Sequence, residues 1–457
     1  MVARCGSFPC IVLALLLAAG CRGEASSDDA ASSTGSGSTS MTTTTATGSE
    51  SGTCPQPVLG CPCEAGECVA PAVCIAGSCS AMSTTGVGES SSSGDASDSS
   101  SGTGPIACND GQPHAGELCL GSPTLLVMGV APTGVVLANF DGDPSLDLAT
   151  CNRDGNEVAL RPGDGGGNFG ARTTYAVGAN PNDVVAGDFD ADGHLDVVTA
   201  DTGAATVSWL RGASNGSFTA GGAIAVGMAP QQLVATDFGG EGRDDLVISN
   251  ATDDTVGVLL SEPAPFAAMV TFGVGVAPRG LALAQISDDS ELDLLVTNTG
   301  AATVSLLLGN GAGQFGAAAP FPVGADPRAI AGGDVNGDGL GDAITAEASG
   351  NLTRLLGNGL GSFGAGLPFA TASAPSALEL VDLDLDGDLD LVVASSGDMT
   401  LRVLTNDGAG EFMEAIQLTT DAGPGALAIG DFNEDGLPDI ACANTGGSTV
   451  TLVESSA

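Results

Sequence analysis

The chain has 457 residues and sets 55 Asp and Glu against 11 Arg and no Lys, a formal net charge of -44. That balance argues against a basic face for nucleic acid or for an anionic membrane, and the lack of Lys excludes lysine-dependent chemistry. Aromatics are only 4% of the chain, whereas 70 Gly point to a turn-rich all-β protein.

Residues 1–20 read as an export signal, with Arg4 as its charged part and Ile11 to Ala19 as an apolar core too short to span a membrane. The following LAAGC, Leu17 to Cys21, resembles the lipobox of bacterial lipoproteins, although Ala18 stands where that pattern usually has Leu. The resemblance implies cleavage before Cys21 and lipidation of its thiol; ordinary secretion is the alternative. Cys5 and Cys10 would leave with the signal. Arg22 takes the place of an Asp that marks inner-membrane retention in some bacteria, which points to the outer membrane or cell surface.

Residues 21–53 and 80–107 are rich in Ser, Thr and Gly. Neither can bury enough apolar surface to offset its ordering entropy, so both are expected to be disordered tethers, each spanning roughly 30 Å. Between them, residues 54–79 hold Cys54, Cys61, Cys63, Cys68, Cys74 and Cys79. In an exported segment this short, that density predicts a module of three disulfides whose pairing spacing cannot fix. A metal cluster is the rival, but no His is near. Cys108 and Cys119 bound a second small element, residues 108–119, expected to carry one disulfide.

Residues 120–457 are periodic. The pattern D-x-[DN]-x-D-G-x-x-D, followed by an apolar strand, starts at Asn139, Asp188, Asp237, Gln285, Asp334, Asp382 and Asp431, at intervals of 48 or 49 residues. Pro132, Pro181, Pro230, Pro278, Pro327, Pro375 and Pro424 keep the same step. A Phe ends each Gly-rich turn at Phe169, Phe218, Phe266, Phe315, Phe363 and Phe412. Four short strands with Gly, Asn and Asp turns in each period predict a seven-bladed β-propeller. The seventh blade lacks a fourth strand of its own, and PTLLVMGVAPTG, residues 123–134, matches that strand elsewhere. It is expected to complete the last blade and close the ring.

These repeats resemble the FG-GAP/VCBS family, including the propeller of integrin alpha subunits. The crowded carboxylates fit a hard cation, since calcium takes six to eight oxygen ligands. Positions 1, 3, 5 and 9 would offer side chains, position 7 a carbonyl, and Gly at position 6 the bend. Four loops are complete: Asp188, Asp190, Asp192, His194 and Asp196; Asp334, Asn336, Asp338, Leu340 and Asp342; Asp382, Asp384, Asp386, Asp388 and Asp390; Asp431, Asn433, Asp435, Leu437 and Asp439. A fifth is near-complete, with Asn139, Asp141, Asp143, Ser145 and Asp147 but Pro144 in place of Gly. Blade three puts Gly239 at position 3 and Arg243 inside its loop. Blade four has Gln285 and Ser287 at ligand positions. Neither is expected to bind calcium well. The bland reading of every loop is an Asx-turn whose acids bond only backbone N–H groups.

In integrins such loops lie on one face and ligands bind the other. The resemblance thus implies a surface binding or adhesion module for a protein or glycan ligand, touching the membrane through its lipid alone. An extracellular enzyme of polysaccharide lyase or hydrolase type is the alternative, as is a structural part of an envelope complex. No nucleophile–base pair stands out around His114, His194, Trp209 or Tyr175. Cys151 and Cys442 lie in the second strands of adjoining blades with opposite parity, which leaves open an inter-blade disulfide or two buried thiols.

Overall fold

The computed structural model describes residues 72–75, 78–81, 116, 118–261, 266–370 and 373–456. Two units are distinguished. In one, Ala72–Ile75 and Ser78–Ala81 form an antiparallel hairpin that sets Cys74 opposite Cys79. The export signal, Cys21, the first tether, the second tether beyond Ala81, Cys54, Cys61, Cys63, Cys68 and Cys108 lie outside the described residues.

The second unit is a ring of seven four-stranded antiparallel sheets, as the period predicts. Blades are numbered from the first strand Pro132–Ala138, and each later first strand also opens on its Pro. Proline is tolerated there because the first residue of a strand need not donate to the ladder. The seven second strands, from Asp147–Asn152 to Asp439–Asn444, are buried at every position. That is why an Asp is followed by consecutive apolar residues, as in DVVTA and DLLVT, instead of strict alternation. No described residue is helical, and no helix is long and apolar enough to cross a membrane.

Register defines two ends. Pro181 pairs with Asp201 and Gly187 with Asp196. The acidic loops between first and second strands therefore lie at one end. The opposite, proline end carries the hairpins between second and third strands and the turns from one blade to the next.

The core is divided among the blade interfaces. Phe189, Val198 and Trp209 of blade two pack with Leu233, Leu246 and Ile248 of blade three. Each of the seven apolar clusters joins two neighbouring blades in this way. The turn phenylalanines serve these joints. Phe218 sets its edge against Phe140 of the previous blade at 5.3 Å, and Phe315 does the same to Phe238 at 5.7 Å.

Closure follows the sequence reading. Thr124–Val127 pairs with Thr449–Val453 as the fourth strand of blade seven. Gly121 N–H donates to Glu454 O at 2.7 Å, and Thr445 Oγ1 to Pro132 O at 2.9 Å. Leu118 and Leu120 bury themselves between blades six and seven. Cys119 is disulfide-bonded.

The inter-blade disulfide is corrected: Cys151 and Cys442 are free, buried thiols. They do occupy opposite sheet faces, but the outward ones. Cys151 packs toward blade two and Cys442 toward blade six, so the two point away from their shared interface. Burial pushes both thiols up to about 12.

Met128 is fully buried at the joint of blades seven and one, whereas Leu125 on the closing strand is 58% exposed. Met128→Ala is expected to cost about 2–5 kcal/mol in urea unfolding, and Leu125→Ala less than about 0.5 kcal/mol. Equal losses would contradict this division of the latch.

Candidate metal centres

Each acidic loop turns on its own carboxylates. The position-1 side chain accepts the N–H of position 6: Gly193 to Asp188 at 2.9 Å, Gly339 to Asp334 at 2.7 Å, Gly387 to Asp382 at 3.1 Å and Gly436 to Asp431 at 2.8 Å. The position-5 carboxylate accepts the N–H of position 7, where His194, Leu340, Asp388, Leu437 and Ser145 stand. Gly193 has φ +82°, the conformation its bend requires. Position 4 is left-handed as well, at Ala191, Leu385 and Glu434. A residue with a Cβ there costs about 1–2 kcal/mol, a strain the sequence does not advertise. In blade one Gly142 holds the left-handed position 4, and Pro144 stands at position 6 without the left-handed φ of the other loops.

Asx-turn bonding does not exhaust a carboxylate, which has about four lone-pair sites. Asp188, Asp190 and Asp192 bring ligand oxygens within 4.8 Å of one another, and Asp382, Asp384 and Asp390 do the same. In both groups a buried oxygen, Asp190 Oδ1 or Asp382 Oδ1, has no hydrogen-bond partner. Both groups fit a cation. Blade three offers a further group, Asp237, Glu241 and Asp245. The ligand pattern does not offer it, because Gly239 empties position 3 and Arg243 stands inside the loop. In blades one, five and seven no three carboxylates meet at this spacing. There Asn139, Asn336 and Asn433 each take one position. The Asn139 amide closes on its own loop, donating to Asp143 O and accepting from Gly142 N–H. Asn336 and Asn433 accept from Asp338 and Asp435 N–H at 3.0 Å.

One local cation is already built in. Arg211 donates to Asp190 Oδ2 and lies over Trp209 at 5.3 Å. A metal at this loop would compete with that guanidinium for Asp190.

Position 9 has a role that motif reading missed. Asp147, Asp196, Asp245, Asp293, Asp342, Asp390 and Asp439 are essentially inaccessible to solvent. Asp147 accepts Phe140 N–H on one oxygen and Gly163 N–H on the other, both at 2.9 Å. Asp439 does likewise with Phe432 at 3.0 Å and Ser455 at 2.8 Å. In blade four, which departs from the ligand pattern, Asp293 still accepts from Ile286, Ser287 and Gly309. This carboxylate therefore clamps the acidic loop to the turn after the third strand, whatever the rest of the loop contains. Burial, partly opposed by the N–H bonds, pushes Asp196, Asp342 and Asp439 up to about 6 and Asp390 up to about 7. Burial also raises Asp183, on the first strand of blade two, to about 7.

Comparison with known proteins agrees with the ring. Residues 139–199, 188–248, 286–345, 334–393 and 382–442, together more than half of the chain, match the profile described as an FG-GAP-like repeat. No curated protein matches the sequence. Among solved structures, BBS1N in complex with ARL6DN is similar at 12% identity and a TM-score of 0.53, over 73% of this chain and 97% of that one. A virginiamycin B lyase from Staphylococcus aureus is similar at 13% identity and 0.50, over 73% and 98%. A putative 6-phosphogluconolactonase from Bacteroides fragilis is similar at 15% and 0.51, over 64% and 85%. At these identities the likeness is one of fold.

Two outcomes follow from the clamp. Asp293→Ala strips the acceptors from three N–H groups, at about 1–3 kcal/mol for each buried donor left unpaired. It should lower the melting temperature equally in calcium and in chelator; a loss seen only in calcium would assign Asp293 to a metal. The raised carboxylates also set the sign of the pH dependence. Their folded values exceed the unfolded ones, so the fold takes up protons more readily, and its stability rises as pH falls through the folded values toward the unfolded ones. In chelator the protein should melt higher at about pH 5 than at about pH 8, and the reverse order would contradict the assignment.

Proposed function

Because the chain belongs to the FG-GAP-like repeat family, we propose that it is a calcium-stabilised binding module held at a cell surface by a lipid on Cys21. The observation that carries the metal is the orphaned oxygen of Asp190 and of Asp382, each inside a converging acidic group. Such atoms are costly to bury and are relieved by a cation. Calcium would be held by the side chains of Asp188, Asp190 and Asp192 in blade two and of Asp382, Asp384 and Asp390 in blade six. The related loops of blades one, five and seven would contribute their acids and Asn side chains. The ion would neutralise the loops and tie each hairpin's ends together.

With the acidic end committed to ions, the proline end is left for a protein or glycan ligand. Its turns expose apolar tips at Val130, Met228, Val276 and Met399, between 49% and 57% accessible. Two tethers and a disulfide module would carry the ring away from the membrane. An enzymatic reading has less support: His194 belongs to an acidic loop, and Trp209 is buried with its Nε1 donating to Asp196.

Calorimetric titration with calcium, paired with thermal melts in calcium and in chelator, tests the metal. A site held at a hundredfold excess over its dissociation constant adds about 2.7 kcal/mol, so several sites should raise the melting temperature markedly. No heat of binding and superimposable melts would reduce the loops to turns and remove the argument for which end meets ligand.

A further inference from the structure

We propose that the proline end carries an anion site built on Arg279 and Arg328, suited to a carboxylate on an apolar body. This deepens the reading of that end as the binding end, and it does not need the loops to hold calcium.

Arg279 and Arg328 each follow the Pro that opens a first strand, in blades four and five. Those strands are neighbours in the inner ring. Their backbones nearly touch: a Cβ on Gly280 would lie 3.1 Å from Arg328 O. Both side chains are half-buried. Arg328 is satisfied, with Nε and Nη2 donating to Asp326 Oδ2 at 3.2 and 2.9 Å. Arg279 differs. Its guanidinium makes no hydrogen bond or ion pair with a described residue, whereas Arg153, Arg172, Arg211, Arg354 and Arg402 all reach carboxylates. Arg161 also lacks an acid, but it donates to the carbonyls of Gly170 and Val127. Burial, and then the charge of Arg328, hold Arg279 below the ordinary Arg value, with Asp326 opposing. A desolvated charge beside a like charge weakens the fold unless something else uses it.

The chemistry of the ligand follows from the surroundings. A guanidinium matches a carboxylate in a two-point fork. A dianion such as phosphate would feel both the attraction of the two guanidinium groups and the repulsion of the acidic ring about twice as strongly, so charge alone does not choose between them, and an apolar neighbour does. Val276, three residues before Arg279, is 52% exposed and offers the apolar body a contact.

Saturation-transfer NMR on the full chain, with benzoate as probe and benzamide as its neutral counterpart, tests this with and without calcium. Benzoate should bind saturably and benzamide should not. Arg279→Gln should weaken benzoate about tenfold or more, the loss of one charge-assisted bond. The same variant should melt higher than the parent, since it removes an unpaired charge. Benzoate contact unchanged in Arg279→Gln, or a lower melting temperature, would make Arg279 structural and overturn the site. Inorganic phosphate displacing benzoate better than acetate does would overturn the carboxylate assignment. A failure of calcium binding would leave the benzoate result intact, so the two readings fail separately.

Discussion

The second strand of each blade is buried on both faces, and everything else in the ring answers to that. A sheet with two apolar faces needs two neighbours, and each blade supplies only half of each core it belongs to. Seven clusters at seven joints are the result. Stability is then a property of closure. An open array would leave two apolar faces in water, those of blades seven and one, and Thr124–Val127 with the buried Met128 helps to join them by completing blade seven and entering its joint with blade one.

At the acidic end, the same need for neighbours orders the loops. Phe140, Phe189, Phe238 and Phe432 are the second residues of their loops, and each meets a turn phenylalanine of the adjoining blade. The position-9 carboxylate fixes that second residue by its backbone N–H in blades one, three and seven. Loop, clamp and joint are one mechanical assembly. A cation bound there would meet a frame that is already set, and it would discharge carboxylates more than shape them.

The architecture was legible because repetition made it so. A period of 48–49 residues carried by Pro, Asp and Phe together gave blade number, strand order and the closing strand. What repetition could not show was the purpose of a residue that serves the fold in all blades and the motif in only some. Asp293 stands in a loop whose Gln285 and Ser287 break the ligand pattern, and it is still a clamp. Gly239 and Arg243 argue against a cation in blade three, yet Glu241 at position 5 reaches the same space as Asp237 and Asp245. Strand parity placed Cys151 and Cys442 on opposite faces, but parity does not say which neighbour a face meets. Nor does a sequence show that Arg279 lacks the acid every reader would assume it has in so acidic a chain.

The latch has a consequence in terms of force. Any load that reaches the ring along the chain from its N-terminal side enters at Leu118–Val127, the segment that closes it. Four residues of pairing, Thr124 to Val127, stand between such a pull and an opened circle. The buried Leu118 and Leu120, the disulfide at Cys119 and the bond from Ser456 N–H to Cys119 O lie upstream of that pairing and take the strain first. The ring's mechanical strength is therefore set by a four-residue strand and the short run before it, however large the seven joints behind them.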